Sequence, residues 1–214
     1  MTDRTGAAHA IVRCCRRLWE AGLIAGADGN VSVRLGPDRL LVTPRGRLKA
    51  DLTPEEMVEV SLDGAHLSGS HRASTELDLH LRIYRRSPEA GAVVHAHPPT
   101  ATGFALAGQS LPPDLLPETV LLLGQVPLVP YATPSTPALG DLVEPMIAGH
   151  VALLLANHGA VTWAPDLALA QIRMESLEHA ARIVLAARAV GTPVPLTPEQ
   201  LASLEHRRGS STHG

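Results

Sequence analysis

GAVVHAHPP, residues 91–99, is an apolar run that carries two histidines one residue apart and closes on two prolines. It predicts a β-strand, with PPTATGFALAG as the turn and helix that follow. Side chains alternate across a strand, so His95 and His97 share a face. Two imidazoles on one face either meet solvent or converge on something that takes nitrogen ligands. A metal site would need a third ligand from elsewhere in the chain.

Upstream of this strand, Ile11, Cys14, Cys15 and Leu18 recur at helical spacing, predicting a helix over 7–21 with Gly22 as its stop. After the glycine-rich bend AGADGN come VSVRL and LLVTP, two alternating runs split by GPDR, which read as a β-hairpin. MVEVSL (57–62) predicts another strand with Asp63–Gly64 as its turn. Ser74 to Arg86 turns helical, and Ser74 or Thr75 can cap it. Downstream, 111–137 is proline-rich loop with a short strand around VPLVP. ALGDLVEPMIAG predicts a helix, VALLLA a buried strand, NHG a turn and VTWAP a strand. A long helix over about 166–190 and a terminal helix from Pro198 follow, with 209–214 expected as a disordered tail. Nothing splits the chain, so residues 1–214 are expected to form one domain. Hairpins first and mixed units later predict an α/β sandwich on a mixed, largely antiparallel sheet.

The 214 residues are 45% hydrophobic and 18% charged, enough for a sizeable core. Aromatics are only 2%, which removes the stacking platforms of single-stranded nucleic-acid binders. A net charge of −3 without a basic run also argues against a nucleic-acid partner. MTDRTGAAHA lacks the pattern of a signal peptide, and no apolar run approaches the roughly 20 residues of a membrane span. Adjacent Cys14 and Cys15 read as small buried hydrophobes, and the expected compartment is the cytoplasm.

The third-ligand candidate is His158 in LLLANHGAV, placed where side chains project from the end of a strand. Three imidazoles and an open position make a usual catalytic zinc sphere. Glu76, in RASTELDLH, sits at a helix start, where the helix dipole alone would favour a glutamate. Ser74 and Thr75 beside it offer hydroxyls and N–H groups to a phosphate. His80 lies one turn on from Glu76 and reads as a packing residue or one that orients a ligand, with direct metal binding as the other reading. In ADGN, Gly29 permits close backbone approach and Asn30 can hydrogen-bond an oxyanion.

GNVSVR, LVTPRG, STELDLH, VVHAH and ANHG occur in the order and approximate spacing of the class II aldolase/adducin family. The chain resembles that family from about Ala10 to Leu204, and the L-fuculose-1-phosphate aldolase branch looks closest. The resemblance implies a three-layer α/β/α fold, usually a homotetramer with active sites between subunits. It implies a divalent metal, typically Zn2+ (or Mn2+ or Co2+), on His95, His97 and His158. Glu76 then matches the catalytic acid/base, which can also ligate the metal, and the phosphate cradle carries over to Gly29, Asn30, Gly46, Ser74 and Thr75. Two positions depart from the pattern. Arg45 stands where the fuculose branch commonly has Thr or Ser, and it can either fork onto a phosphate or select a carboxylate. The branch's catalytic tyrosine falls near Leu116, in LPPDLLPE, while Tyr131 matches a different tyrosine of the family.

The expected function is cleavage of a ketose 1-phosphate, a small phosphorylated sugar, to dihydroxyacetone phosphate and an aldehyde. A Lewis-acid metal would stabilise the enediolate and Glu76 would move the proton. Decarboxylase, 4-epimerase and dehydratase readings use the same scaffold, and a non-catalytic adducin-like assembly module is the alternative from another class.

Overall fold

The computed structural model describes residues 3–211. Eight strands form one sheet in the order β4-β3-β2-β1-β5-β8-β7-β6. They are β1 (Asn30–Gly36), β2 (Arg39–Val42), β3 (Val58–Ser61), β4 (His66–Ser68), β5 (Ala92–Ala96), β6 (Leu128–Val129), β7 (Ala152–Leu155) and β8 (Gly159–Ala164). Every pairing is antiparallel except β6 with β7, as the mixed, largely antiparallel expectation had it.

Strand alternation sorts the core into two clusters. Val31, Val33, Ala92, Val94, Ala160 and Leu154 face α1 (Arg4–Glu20), α3 (Pro99–Leu106) and α6 (Leu167–Val190). Leu40, Val42, Val93, Val161 and Leu153 face α2 (Leu77–Arg86) and α5 (Pro137–Val143). The three layers α/β/α follow from this period of two. Asn30, Ser32 and His95 occupy positions on the α2 side, and Asn30 pairs directly with His95 across β1 and β5.

Several boundaries differ from the sequence reading. The helix expected from Ser74 starts at Leu77, because an antiparallel bridge between Pro44 and Ala73 and the bond from Ser74 N to Thr43 O hold the preceding segment extended. Neither Ser74 nor Thr75 is the N-cap; that position is Glu76. The first helix begins at Arg4, since Asp3 caps it by accepting from Thr5 N and Gly6 N. Within the expected loop 111–137, α4 (Pro117–Leu122) forms, with proline at its first position, where no N–H is needed. β4 is fully exposed, so no buried face marked it in sequence. The terminal helix α7 (Pro198–Ser211) includes part of the expected tail, and residues 212–214 lie outside those described. Among the described residues, Cys14 and Cys15 are free and buried, and no helix is long and apolar enough to cross a membrane.

Candidate active site

His95 is the buried fourth residue of β5, His97 follows the strand's end, and His158 lies in the turn between β7 and β8. Their ring centroids are 4.7–5.1 Å apart. That turn depends on Asn157 at φ 57 and on Gly159, where a Cβ would come within 2.5 Å of the Ala96 carbonyl and 2.6 Å of the His97 ring. The glycine lets the His158 turn close onto the His95–His97 strand end.

Glu76 reaches into this group. Its Oε2 lies 3.1 Å from His95 Nε2, and its Oε1 lies 3.1 Å from His158 Nε2 without hydrogen-bond geometry. Asn30 Nδ2 donates to Oε2 at 2.9 Å. Starting the helix at Leu77 is what frees Glu76 for this position.

The protonation pattern shows what the cluster can hold. His95 Nδ1 donates to the Ala160 carbonyl at 2.9 Å, so in the neutral ring Nε2 carries a lone pair. That lone pair faces Glu76 Oε2 and, at 3.2 Å, His97 Nε2. Electron pairs converging in this way are repulsive unless a cation lies among them. Burial opposes the charged form of His95, but the Glu76 carboxylate and the Ala160 carbonyl together favour it and raise the pKa. Burial likewise works against the Glu76 carboxylate, yet His95 and His158 hold its pKa far below the ordinary range. His97 is lowered to about 4, by burial and then by His95 and His158.

The residues therefore fit a metal. The ligand nitrogens of His95, His97 and His158 lie within 4.8 Å of one another. The 3.2 Å between His95 Nε2 and His97 Nε2 is close to the about 3.3 Å edge expected of a tetrahedral sphere with bonds of roughly 2.0–2.1 Å. The Ala160 carbonyl fixes the His95 tautomer, as a backbone partner commonly does for a ligating imidazole.

Beside the histidines lies a cavity of about 220 Å³. Gly29, Asn30, Arg45, Gly46, Ser74, Thr75, Glu76 and His97, all singled out in sequence, line it. Gly29 is required there: at φ 72, a Cβ would fall 2.7 Å from Ile24 Cγ2 and 2.9 Å from the His95 carbonyl. Arg45 is exposed at the rim, and its guanidinium has no partner among the described residues.

The lining also contains residues that the sequence reading missed. Lys49 is 2% exposed, and its Nζ donates to the carbonyls of Ala27 (2.8 Å) and Arg47 (3.0 Å), tying the two cradle loops together. Burial lowers its pKa. Asp28 Oδ2 lies 3.6 Å from His97 Nδ1, and Ser135 lines the cavity at φ 62. Asp28 was within reach of sequence reasoning as part of ADGN; a single lysine in TPRGRLK carried no such signal. His80 lies away from the histidines: its bonds go to Asn30 and Ser32, in accord with an orienting residue rather than a ligand.

The chain matches the family model described as Class II Aldolase and Adducin N-terminal domain over residues 9–185. It is 35% identical over 178 residues to the 3-oxo-tetronate 4-phosphate decarboxylase of Pectobacterium atrosepticum, covering 81% of each chain. With the L-fuculose phosphate aldolase of Escherichia coli it shares 31% identity over 201 residues, covering 94% of this chain and 93% of the relative. The crystal structure of YgbL from Escherichia coli superposes with a TM-score of 0.88 at 31% identity, over 94% of this chain and 99% of that one. The expected nearness to the fuculose branch is corrected by these values, since the decarboxylase is the more similar of the two relatives.

Proposed function

The chain belongs to the class II aldolase and adducin family, and within it we propose that it is a metal-dependent lyase that decarboxylates a phosphorylated 3-oxo sugar acid. The observation that carries this reading is the apolar setting near Leu116, where the resemblance places the aldolase branch's tyrosine. Leu116 is partly buried and packs on the apolar core, and Leu115 beside it does the same. Of the two tyrosines, Tyr84 is buried against Ser32, and Tyr131 is exposed and outside the cavity lining. Aldol cleavage has to manage the proton on the oxygen that becomes the aldehyde. A carboxylate leaving as CO2 has no such proton, so the missing hydroxyl costs decarboxylation nothing.

Loss of C1 from 3-oxo-tetronate 4-phosphate leaves a three-carbon enediolate, and one proton added at the former C2 gives dihydroxyacetone phosphate. A divalent ion on His95, His97 and His158, typically zinc, would act as a Lewis acid toward the 3-oxo group. Glu76 is placed to deliver the proton. Gly29, Gly46, Ser74 and Thr75 supply the phosphate cradle, with Asn30 at its inner wall. Arg45 and Lys49 give two cationic groups to a substrate with two anionic ends. The homotetramer that the resemblance implies is part of this proposal.

A second reading, cleavage of a ketose 1-phosphate, yields the same three-carbon phosphate with the same roles for the histidines, Glu76 and the cradle but needs a further group for the aldehyde-side proton, and the similarity to L-fuculose phosphate aldolase favours it. The two are separated by measuring kcat/KM for 3-oxo-tetronate 4-phosphate and for a panel of ketose 1-phosphates, with dihydroxyacetone phosphate detected in both. A preference for the acid by about tenfold or more supports decarboxylation, and a preference for a ketose 1-phosphate overturns it.

A further inference from the structure

A run of polar side chains leads away from Glu76 into the core between α2 and the sheet. Asn30 Nδ2 donates to Glu76 Oε2 at 2.9 Å, and Asn30 Oδ1 lies 2.5 Å from His80 Nε2. His80 Nδ1 lies 2.6 Å from Ser32 Oγ, which lies 2.9 Å from the Tyr84 hydroxyl. Asn30, His80, Ser32 and Tyr84 are each at most 4% exposed. Around them pack Leu79, Ile83, Val93 and Leu40, a setting in which polar groups are costly unless every one is satisfied.

The proton on each link is fixed by elimination. An ionised carboxylate only accepts, so Asn30 must turn its NH2 toward Glu76 and its carbonyl toward His80. A carbonyl only accepts, so His80 Nε2 carries the hydrogen. In the neutral ring Nδ1 is then bare and accepts from Ser32, whose single hydrogen is thereby used. The Ser32 oxygen accepts in turn from Tyr84. Arg34 secures the far end: it donates to the Tyr84 carbonyl at 2.9 Å and lies 4.8 Å from the centre of its ring. One polarity therefore runs from Tyr84 to Glu76. Flipping Asn30 would set two acceptors against each other at Glu76 and two donors at His80.

We propose that His80, Ser32 and Tyr84 are positioning residues that lock Asn30 in one amide orientation and so hold the Glu76 carboxylate between the histidines and the cavity. This rests on the reading of Glu76 as the proton-transfer group. The chain spends four buried polar side chains on the carboxylate's orientation, and misplacement of a reacting group by about 1 Å can cost on the order of 100-fold in rate.

Two measurements test it. The first is the 15N chemical shifts of His80 in the metal-loaded wild-type protein at neutral pH. A protonated Nε2 and a bare Nδ1 are expected; the opposite tautomer or an imidazolium overturns the proposal. The second compares His80→Leu and His80→Gln, the glutamine amide keeping a donor that can reach Asn30. His80→Leu should lower kcat about 10- to 100-fold, with KM changed less than about threefold and metal content kept. His80→Gln should recover a large part of that kcat. Unchanged kcat in His80→Leu, or His80→Gln no better than His80→Leu, overturns the proposal. If His80→Leu does not fold, the nitrogen shifts decide. Glu76→Gln in the same assay keeps the two claims apart. If it retains turnover, the proton-transfer reading falls; if it is inactive while His80→Leu is not, only the positioning role falls.

Discussion

Truncating Arg45 to Ala probes the position where this chain departs from the fuculose branch. Arg45 lines the cavity beside Gly46, and no residue among those described engages its guanidinium, so a substrate anion is its expected partner. Hydrogen bonds to charged groups contribute about 1.5–3 kcal/mol, and the exposure of Arg45 puts the contact at the lower end. About 1.5 kcal/mol corresponds to roughly a tenfold rise in KM. Because the grip is made equally in ground and transition states, kcat should change little. Steady-state kinetics of CO2 release reads both parameters, and parallel runs on a ketose 1-phosphate, which has no carboxylate, identify the group that is held. A rise confined to the acid places Arg45 on the carboxylate, and an equal rise on both substrates places it on the phosphate. Arg45→Lys keeps a point charge but not the paired donors, so it should recover only part of the loss. An unchanged KM for both substrates in Arg45→Ala would mean that Arg45 holds neither anion.

Three further outcomes are expected. Glu76→Gln should retain metal, by elemental analysis, but lose turnover by about 100-fold or more, because an amide cannot cycle a proton; near-normal proton exchange at the reacting carbon of dihydroxyacetone phosphate would contradict this. Gly29→Ala should destabilise the fold by at least about 1–3 kcal/mol in urea unfolding, since φ is 72 and the new Cβ meets Ile24 and the His95 carbonyl; a parental midpoint would contradict it. Burial raises the Cys14 thiol and raises Cys15 to about 12, so between pH 9 and 12 the folded state keeps a proton on Cys15 that the unfolded state has lost. Stability should therefore fall as pH rises through that window, by up to about 1.4 kcal/mol per unit for the Cys15 thiol, and a Cys15→Ala variant should show a shallower decline; equal slopes would contradict the assignment.

What the sequence made legible was local in origin. A period of two placed His95 and His97 on one face, a strand end presented His158, and the glycine of ADGN marked a close approach. The site residues that escaped notice depend on register and loop packing. Ser32 meets His80 only because α2, 48 residues on in the chain, packs on the face of β1 that carries Ser32. Lys49 enters the site through carbonyls of two loops, one of them 22 residues away. The start of α2 was misplaced because Ser74 is a good cap by type, whereas a tertiary bridge at Pro44–Ala73 holds its backbone extended. The choice between reactions was less legible still, since both pass through the same enediolate and differ in which group leaves.

Metal-dependent loss of CO2 from a phosphorylated 3-oxo acid is measured most directly with 3-oxo-tetronate 4-phosphate labelled with 13C at C1. Zinc-loaded protein should release labelled CO2 above the spontaneous rate, matched mole for mole by dihydroxyacetone phosphate, and His95→Ala/His97→Ala, bearing no metal, should not. Release no faster than the spontaneous rate, or release undiminished in the metal-free variant, would contradict metal-dependent decarboxylation.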